Sequence, residues 1–411
     1  MAGLLPFVYA SRNLSRSPAR LLLSVGGAAL VVALVMAGAG FALGMDAALR
    51  SSGTPGNVIL IGSGSEESIE RSEVAPTTAG VVAASVEGIR AVAGQPLVSS
   101  EVHVALPVQV AGAAAAAAAS DRDEDQRTSR DLAIVRGVTP AAFLVHPQVR
   151  MVAGRAPMAG ANEVMLGTTA AKRLGLDPEQ LQRSLKDDGT GGPELAVDNR
   201  TLRVTGLFTA PATVMDGEVW TPLTDLLVLT QRDTISTVII GLEPTAHAAD
   251  VEAFAQRRID LELTAMPETA YYAGQSAFYR PVRIMVLASA ALVAAGALLG
   301  GLNTMYAAFA SRVREIGMLQ CLGYSRTAVV VSLLQESVLA SMAGALIGVA
   351  VAAVALDGLS IDFSMGTFGI AVDHRVVALG LLAGLLVGVA GCVVPALRCL
   401  RLPLPVSLKT D

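Results

Sequence analysis

The sequence predicts an α-helical membrane protein with four transmembrane helices and a large α+β extracytoplasmic domain of two lobes inserted between the first and second spans. Three observations predict it. No charged side chain occurs from Leu21 to Met45, Ile284 to Ser311, Ser337 to Leu356 or Val376 to Leu397. A hydrocarbon core of roughly 30 Å takes about 20 helical residues, so each run can span it. Apolar residues make up 53% of the chain and charged residues 16%, with mean hydropathy +0.56, whereas soluble domains carry about 25% charged residues. The polar segment between the first two runs is long enough for a core of its own. Helices are the economical way to cross, because backbone groups in lipid must pair within the segment.

Charge placement sets the expected topology. Residues 46–280 hold 29 acidic and 19 basic side chains, a net −10, and the remainder holds 6 acidic and 11 basic, a net +5. Arg12, Arg16 and Arg20 precede the first span, Arg312, Arg314 and Arg326 lie between the second and third, and Arg398, Arg401 and Lys409 follow the fourth. The positive-inside rule puts these groups and both termini in the cytoplasm and the large segment outside. The expected organisation is an interfacial helix over 1–20, spans at 21–45, 281–311, 327–356 and 376–397, and a domain over 46–280. A cytoplasmic helix over 312–326, an outer loop over 357–375 and a tail over 398–411 complete it. The small residues Ala37–Ala42 would suit signal cleavage, but the uncharged run exceeds a typical apolar region of about 7–15 residues.

Within the first twenty residues, Phe7, Val8 and Leu14 alternate with Ser11, Arg12, Ser15 and Arg16, a pattern that fits a helix lying on the membrane surface before Pro18 turns the chain. In the outer segment, β-branched content marks strands at Val58–Ile61, Val102–Val110, Leu132–Val138, Leu202–Phe208 and Thr237–Leu242. Helical spacing marks Thr77–Ala93 and Ala246–Arg258. A strand–helix–strand unit thus stands near each end, Val58 to Val110 and Thr237 to Leu263; the two pair and the middle forms the second lobe. The Ala113–Ala119 tract and charged Asp121–Asp131 read as a solvated loop.

The sharpest local signal is the cytoplasmic segment Arg312–Gly323. Ile316, Leu319 and Leu322 recur at intervals of three, Arg312, Arg314 and Glu315 give a polar side, and Gly317 and Met318 complete the turn. Gly323 suits the left-handed residue that ends a helix. Such a helix can be gripped by a cytoplasmic partner, or can simply be a tight turn with inside-positive charge. Glu336 is the acid embedded in an apolar run, either a polar site within the membrane or a carboxylate near the inner interface, where it can reach water or Arg326. Glycines four apart recur at Gly40/Gly44, Gly296/Gly300, Gly344/Gly348, Gly380/Gly384 and Gly384/Gly388, a spacing that lets helices approach and that is expected to form at least one subunit interface.

Several function classes are disfavoured. No phosphate loop of the form Gly-x-x-x-x-Gly-Lys-Ser/Thr occurs in the sequence, so ATP chemistry must come from another chain. The serines lack a nucleophile elbow. His103, His146 and His247 have no metal-ligand spacing and read as core or surface residues; Cys321, Cys392 and Cys399 read as small apolar residues. Neither cofactor nor metal is expected in this chain, and the acidic outer segment argues against nucleic acid.

The order of several motifs resembles the MacB/LolC/FtsX family of ABC-transporter permeases. They are Asn303-Thr304-Met305, Arg314–Gly323 and Glu336 before a glycine-rich span; Ala10–Arg20 at the entry to the first span; and Pro395–Arg398 with Pro405–Lys409 at the end. Gly154-Arg155 and Asn162-Glu163-Val164 are similar to elements of the family's outer domain, and Tyr271-Tyr272 with Gln275-Ser276 resemble its DevC-like branch. The resemblance implies a bacterial inner-membrane subunit with a periplasmic domain, working with two copies of a cytoplasmic ATPase that binds ATP and Mg, a second identical or related permease and a periplasmic membrane-fusion adaptor. Arg312–Gly323 becomes the coupling helix, although Gln320 and Cys321 stand where relatives more often carry Arg and Ala. An FtsX-like regulator of a cell-wall hydrolase and a LolC-like lipoprotein-releasing permease are the alternative readings.

Overall fold

The computed structural model describes residues 18–111, 132–198, 200–310, 313–363, 366–370 and 372–400. Leu4–Arg16, the Ala113–Asp131 loop, Arg312 and the end of the tail from 401 lie outside the described residues. The chain forms two units, one of Met1–Leu43, Pro281–Leu359 and Ile370–Asp411, the other of Gly44–Arg280 and Ser360–Gly369.

In chain order, α1 (Pro18–Ser52) leads to β1 (Asn57–Gly62), α2 (Thr78–Ser85), the short β2 (Ala91–Val92) and β3 (Gln95–Pro96), and β4 (Val98–Val110). Then come β5 (Leu132–Val138), α3 (Ala142–Val145), β6 (Arg150–Gly154), β7 (Glu163–Gly167), α4 (Thr168–Arg173) and α5 (Pro178–Ser184). β8 (Glu194–Val197), β9 (Arg200–Thr209), β10 (Val219–Pro222), α6 (Leu223–Thr230), β11 (Thr237–Gly241) and α7 (Ala248–Arg257) follow. The chain closes with β12 (Leu263–Pro267), α8 (Glu268–Phe278), α9 (Arg280–Ala310), α10 (Val313–Cys321), α11 (Arg326–Leu356), the hairpin β13 (Ser360–Phe363) and β14 (Gly366–Gly369), and α12 (His374–Leu400).

Among the described residues, four helices are long and apolar enough to cross a membrane: Leu21–Ser52, Arg280–Asn303, Arg326–Leu356 and His374–Val393. In the first unit, Val32, Met36 and Ala39 of α1 pack with Ala345, Ala352 and Leu356 of α11 and Val376 of α12. Glycine permits this closeness. A Cβ at Gly348 would lie 3.0 Å from the Ala29 Cα, and one at Gly384 would lie 2.6 Å from the Ala345 Cβ. The Gly344/Gly348 and Gly384/Gly388 pairs therefore seat helices of the same chain on one another, while a Cβ at Gly296 or Gly300 meets nothing within 4 Å.

The second unit is built on a ten-stranded sheet ordered β12-β1-β11-β4-β5-β10-β7-β9-β6, with β8 paired to β4 and β9. The two strand–helix–strand ends interleave as expected, since β1 lies between β11 and β12 and is antiparallel to both. The two expected lobes are joined in one ladder, because β4 pairs with β11 over Val98–Glu101 and with β5 over Glu101–Pro107. Strand alternation divides the faces. Val102, Val135, Val219, Val238 and Ile240 enter the main apolar core, while Glu101, His103, Arg136 and Trp220 alternate with them on the opposite side of β4, β5 and β10, joined by Glu218 just before β10.

Three differences from the sequence reading have a physical cause. The first helix runs to Ser52 rather than Met45, because charge marks where a chain leaves hydrocarbon and not where its helix ends; Asp46 and Arg50 pair at 3.0 Å along it. The helix expected over Thr77–Ala93 stops at Ser85, since Gly88 adopts φ +77° with a Cβ position 2.5 Å from Ala246, and β2 and β3 form a small hairpin instead. The outer loop over 357–375 contains the β13–β14 hairpin, paired from Ser360↔Gly369 to Phe363↔Gly366.

Candidate functional site

The side of the sheet opposite the main core gathers a buried charge cluster at β4, β5 and β10. In register, Arg136 stands opposite His103 on one neighbour and Trp220 on the other. Its Nη1 donates to Glu101 Oε2 at 2.9 Å and its Nη2 to Glu218 Oε1 at 2.7 Å. Trp220 Nε1 donates to the second Glu218 oxygen at 2.7 Å. His146, just after α3, places Nε2 2.9 Å from Glu101 Oε1, which also accepts from Ser99 Oγ at 2.9 Å. Its Nδ1 lies 3.8 Å from Oε1 of Glu268, the first residue of α8. Arg136, His146, Glu101, Glu218 and Glu268 are all at most 1% exposed.

The cluster sets its own protonation. Burial alone would raise the Glu101 carboxyl, but His146, Arg136 and His103 outweigh it and hold that group well below its ordinary value. For His146, burial works against the imidazolium, yet Glu101 and Glu268 prevail over burial and over Arg136, and its pKa is raised. Burial, reinforced by Arg136, lowers His103. Burial raises Glu268, against the pull of His146 and of the hydrogen bonds from Thr54 and Asn57. His146 Nδ1, Glu268 Oε1, His103 Nε2 and Arg136 Nε lack hydrogen-bond partners. Among the described residues no group of three or more His, Cys, Asp or Glu is arranged to hold a metal ion.

Glu268 also grips the chain leaving α1. Its Oε2 accepts from the Thr54 N–H at 3.0 Å and from Asn57 Nδ2 at 2.9 Å. Gly53 passes so close to α8 that a Cβ there would lie 2.8 Å from the Thr269 Cα. Farther along, Ser276 Oγ donates to Asp46 Oδ1 at 2.5 Å, and Gln275 Nε2 donates to the carbonyls of Glu66 and Glu67. Tyr271 and Tyr272 are buried, with ring centroids 5.3 Å apart. Ser276 thus ties α8 to α1, and Gln275 ties it to the segment after β1.

The elements at Gly154-Arg155 and Asn162-Glu163-Val164 also meet. Arg155 holds Glu163 through two bonds of 2.7 Å, and Glu163 accepts the Met158 N–H at 2.9 Å. Gly154 and Asn162 take left-handed φ values of +71° and +54°, which turn the chain so that this fork closes.

In the first unit, α10 covers Val313–Cys321 and ends where Gly323 takes φ +94°. Leu319 packs on the cluster of Val329, Leu333, Cys392 and Ala396 at one end of α11 and α12. Met318 and Leu322 are 48% and 76% exposed, and Arg314 is exposed as well. The expected Ile316–Leu319–Leu322 stripe therefore does not stay on one surface. An outward row forms at Arg314, Met318 and Leu322, four residues apart, while Leu319 and Gly317 turn inward. Glu315 is half-buried; the side chain of Ile316 lies outside the described residues. Glu336 is 6% exposed. It sits about 15 Å along α11 from Arg326, which corrects the expectation that the two are within reach.

Sequence comparison agrees with this architecture. The family described as MacB-like periplasmic core domain matches residues 21–257, and FtsX-like permease C-terminal matches residues 287–404. No curated protein matches the sequence. Among solved structures, the periplasmic region of MacB from Actinobacillus actinomycetemcomitans is 13% identical, with TM-score 0.37, covering 54% of this chain and 92% of that one. The extracellular domain of the noncanonic ABC-type transporter YknZ from Gram-positive bacteria is 11% identical, with TM-score 0.35, covering 51% and 99%. With a MacB-like domain between its first and second spans and FtsX-like helices after it, the chain belongs to the MacB/FtsX family of ABC-type permeases.

Proposed function

We propose that this protein is the membrane subunit of an ABC-type export complex and converts ATP hydrolysis by a separate cytoplasmic ATPase into movement of its periplasmic domain. Both termini and α10 face the cytoplasm, where two ATPase copies, carrying ATP and Mg, grip α10 from below. A second permease, identical or related, completes the membrane part, and a periplasmic membrane-fusion adaptor receives what is extruded. The motion passes along α1 and along the α8–α9 segment, which carry the chain into and out of the domain.

The supporting observation is the Arg314, Met318 and Leu322 row on a short helix between two membrane-length helices, with Leu319 anchoring the opposite side. An exposed apolar pair flanked by a cation, on a helix rigidly seated beneath, is what a protein partner can push against.

Reconstitution with the ATPase in lipid nanodiscs tests the reading. Replacing Met318 and Leu322 together by Asp abolishes permease-dependent ATP turnover while the protein still inserts and folds; unchanged turnover rejects the role of α10. Isolation of the native assembly separates export from regulation. An adaptor in the complex supports export, and a peptidoglycan hydrolase in its place supports the FtsX-like alternative.

A further inference from the structure

We propose that Glu101, His146 and Glu268 form a proton-sensitive clasp, which holds the end of α1 and the start of α8 against the sheet when His146 is charged and loosens them when it is neutral. The inference concerns regulation of the mechanical path described above and rests on that reading for its biological use, but not for its test.

The geometry has three parts. Glu268 is the common anchor of both segments, through the Thr54 N–H and Asn57 Nδ2 on one carboxylate oxygen and through its own place at the head of α8. Its other oxygen has no hydrogen-bond partner and stands 3.8 Å from His146 Nδ1, which has none either. The far nitrogen of the same ring, Nε2, is 2.9 Å from Glu101 on β4. One imidazolium between two carboxylates therefore links α8 to the central strand. A small closure would turn the 3.8 Å approach into a charged hydrogen bond, whereas a neutral ring can donate to only one side.

The surroundings decide how much depends on that proton. From β5, Arg136 Nη1 approaches His146 Nε2 at 3.4 Å and disfavours its charge, but it is already committed to Glu101 and Glu218. From β10 and the residue before it come the Trp220 ring, edge-on to His146 at 6.0 Å, and Glu218, bound to Arg136. From β4 come Glu101 and His103, the latter 3.6 Å from Glu101. From α8 come Glu268 and the buried Tyr272. Arg136 compensates Glu101 and Glu218 whatever the pH. Glu268 has no cation other than His146 within ion-pair distance among the described contacts. When His146 is neutral, a carboxylate with no counter-charge stays buried where the start of α8 meets the chain between α1 and β1, and it must take up a proton or draw in water. Either change weakens its hold on Thr54 and Asn57.

Hydrogen exchange of the full-length protein in lipid nanodiscs, without any ATPase, measures this opening. Between about pH 6 and about pH 9, after correction for intrinsic exchange, amides of Thr54–Val58 and Glu268–Gln275 are expected to lose about tenfold in protection, while those of β5 and β11 keep theirs. His146→Gln is expected to show the loosened pattern at both pH values. Glu268→Gln, which needs no counter-charge, is expected to show no pH dependence, and it serves should His146→Gln fail to fold. Equal protection across the range in the native protein overturns the clasp, as does the native pH dependence persisting in Glu268→Gln. Failure of the ATPase reading would show instead as unaltered turnover in the α10 variant and leaves these exchange results untouched.

Discussion

Arg136 and Glu218 are joined at 2.7 Å across β5 and β10, and the second arm of the same guanidinium reaches Glu101 on β4. One side chain therefore ties three adjacent strands on the face away from the main core. Such a pair is costly to bury, and its attraction roughly repays the lost hydration; its chief effect is to allow one register of these strands and to penalise the others. The Trp220 ring, with the Arg136 guanidinium 5.4 Å from its centroid, closes the arrangement against Phe208 and Phe143.

Removing Arg136 should be far more damaging than its count of bonds implies. Arg136→Ala leaves Glu101 and Glu218 buried without their shared cation and is expected to cost about 3–5 kcal/mol. Arg136→Lys retains charge but cannot fork, and should fall between. The sole tryptophan, Trp220, reports on this site, so its fluorescence during urea unfolding checks both variants.

Stability should decline through this same cluster as pH rises above 6.5. His146 has a native pKa above its ordinary 6.5, so its contribution is complete below 6.5 and is lost as pH rises through the native value. Glu268, raised from 4.5, has a window of its own, its contribution complete below 4.5 and lost as pH rises through its native value. Glu101, held below 4.5, acts oppositely, its share vanishing only as pH falls through the acid range. Thermal unfolding followed at Trp220 should therefore show a fall as pH rises above 6.5 that His146→Gln abolishes. A midpoint that rises over that range would contradict the assignment.

Leu319 and Leu322 should separate packing from coupling. Leu319 lies on Val329, Leu333, Cys392 and Ala396, so Leu319→Ala is expected to lose about 1–3 kcal/mol of helix packing. Leu322→Ala, at 76% exposed, should leave stability within about 0.5 kcal/mol and lower permease-dependent ATP turnover. Paired thermal-unfolding and turnover measurements distinguish the two; a large stability loss in Leu322→Ala would show that the outward row is misassigned.

The large features of this fold were legible because they follow from strong local rules. Uncharged runs longer than a bilayer is thick left little choice for α1, α9, α11 and α12, and strands such as Leu132–Val138 matched their β-branched pattern to the residue. The charge cluster was harder to see. Arg136 inside an apolar strand, and Glu101 and His103 alternating with Val102 and Val104, form the pattern of a strand with one wet face. That pattern is identical whether water or another part of the chain covers the polar side, and here His146, Trp220 and Glu268 arrive from distant segments. The α10 stripe misled for a related reason. Spacing of three places residues near one another, but only the packing of Leu319 against α11 and α12 decides which of them faces outward.

Gly53 offers the most direct test of how closely α1 and α8 must run. A Cβ there would lie 2.8 Å from the Thr269 Cα and 3.0 Å from its nitrogen, both backbone atoms that no side-chain rotation can move. Gly53→Ala must therefore push the two segments apart, breaking the 3.0 Å bond from the Thr54 N–H to Glu268, at an expected cost of about 1–3 kcal/mol. Gly64 is the control: its φ of +83° disfavours a side chain, but open space surrounds it. Gly64→Ala should thus cost only about 1 kcal/mol through backbone strain and leave Thr54–Val58 protected from hydrogen exchange. If both variants lose equal stability and neither exposes Thr54–Val58, the approach of α1 to α8 is not the constraint that glycine satisfies at position 53.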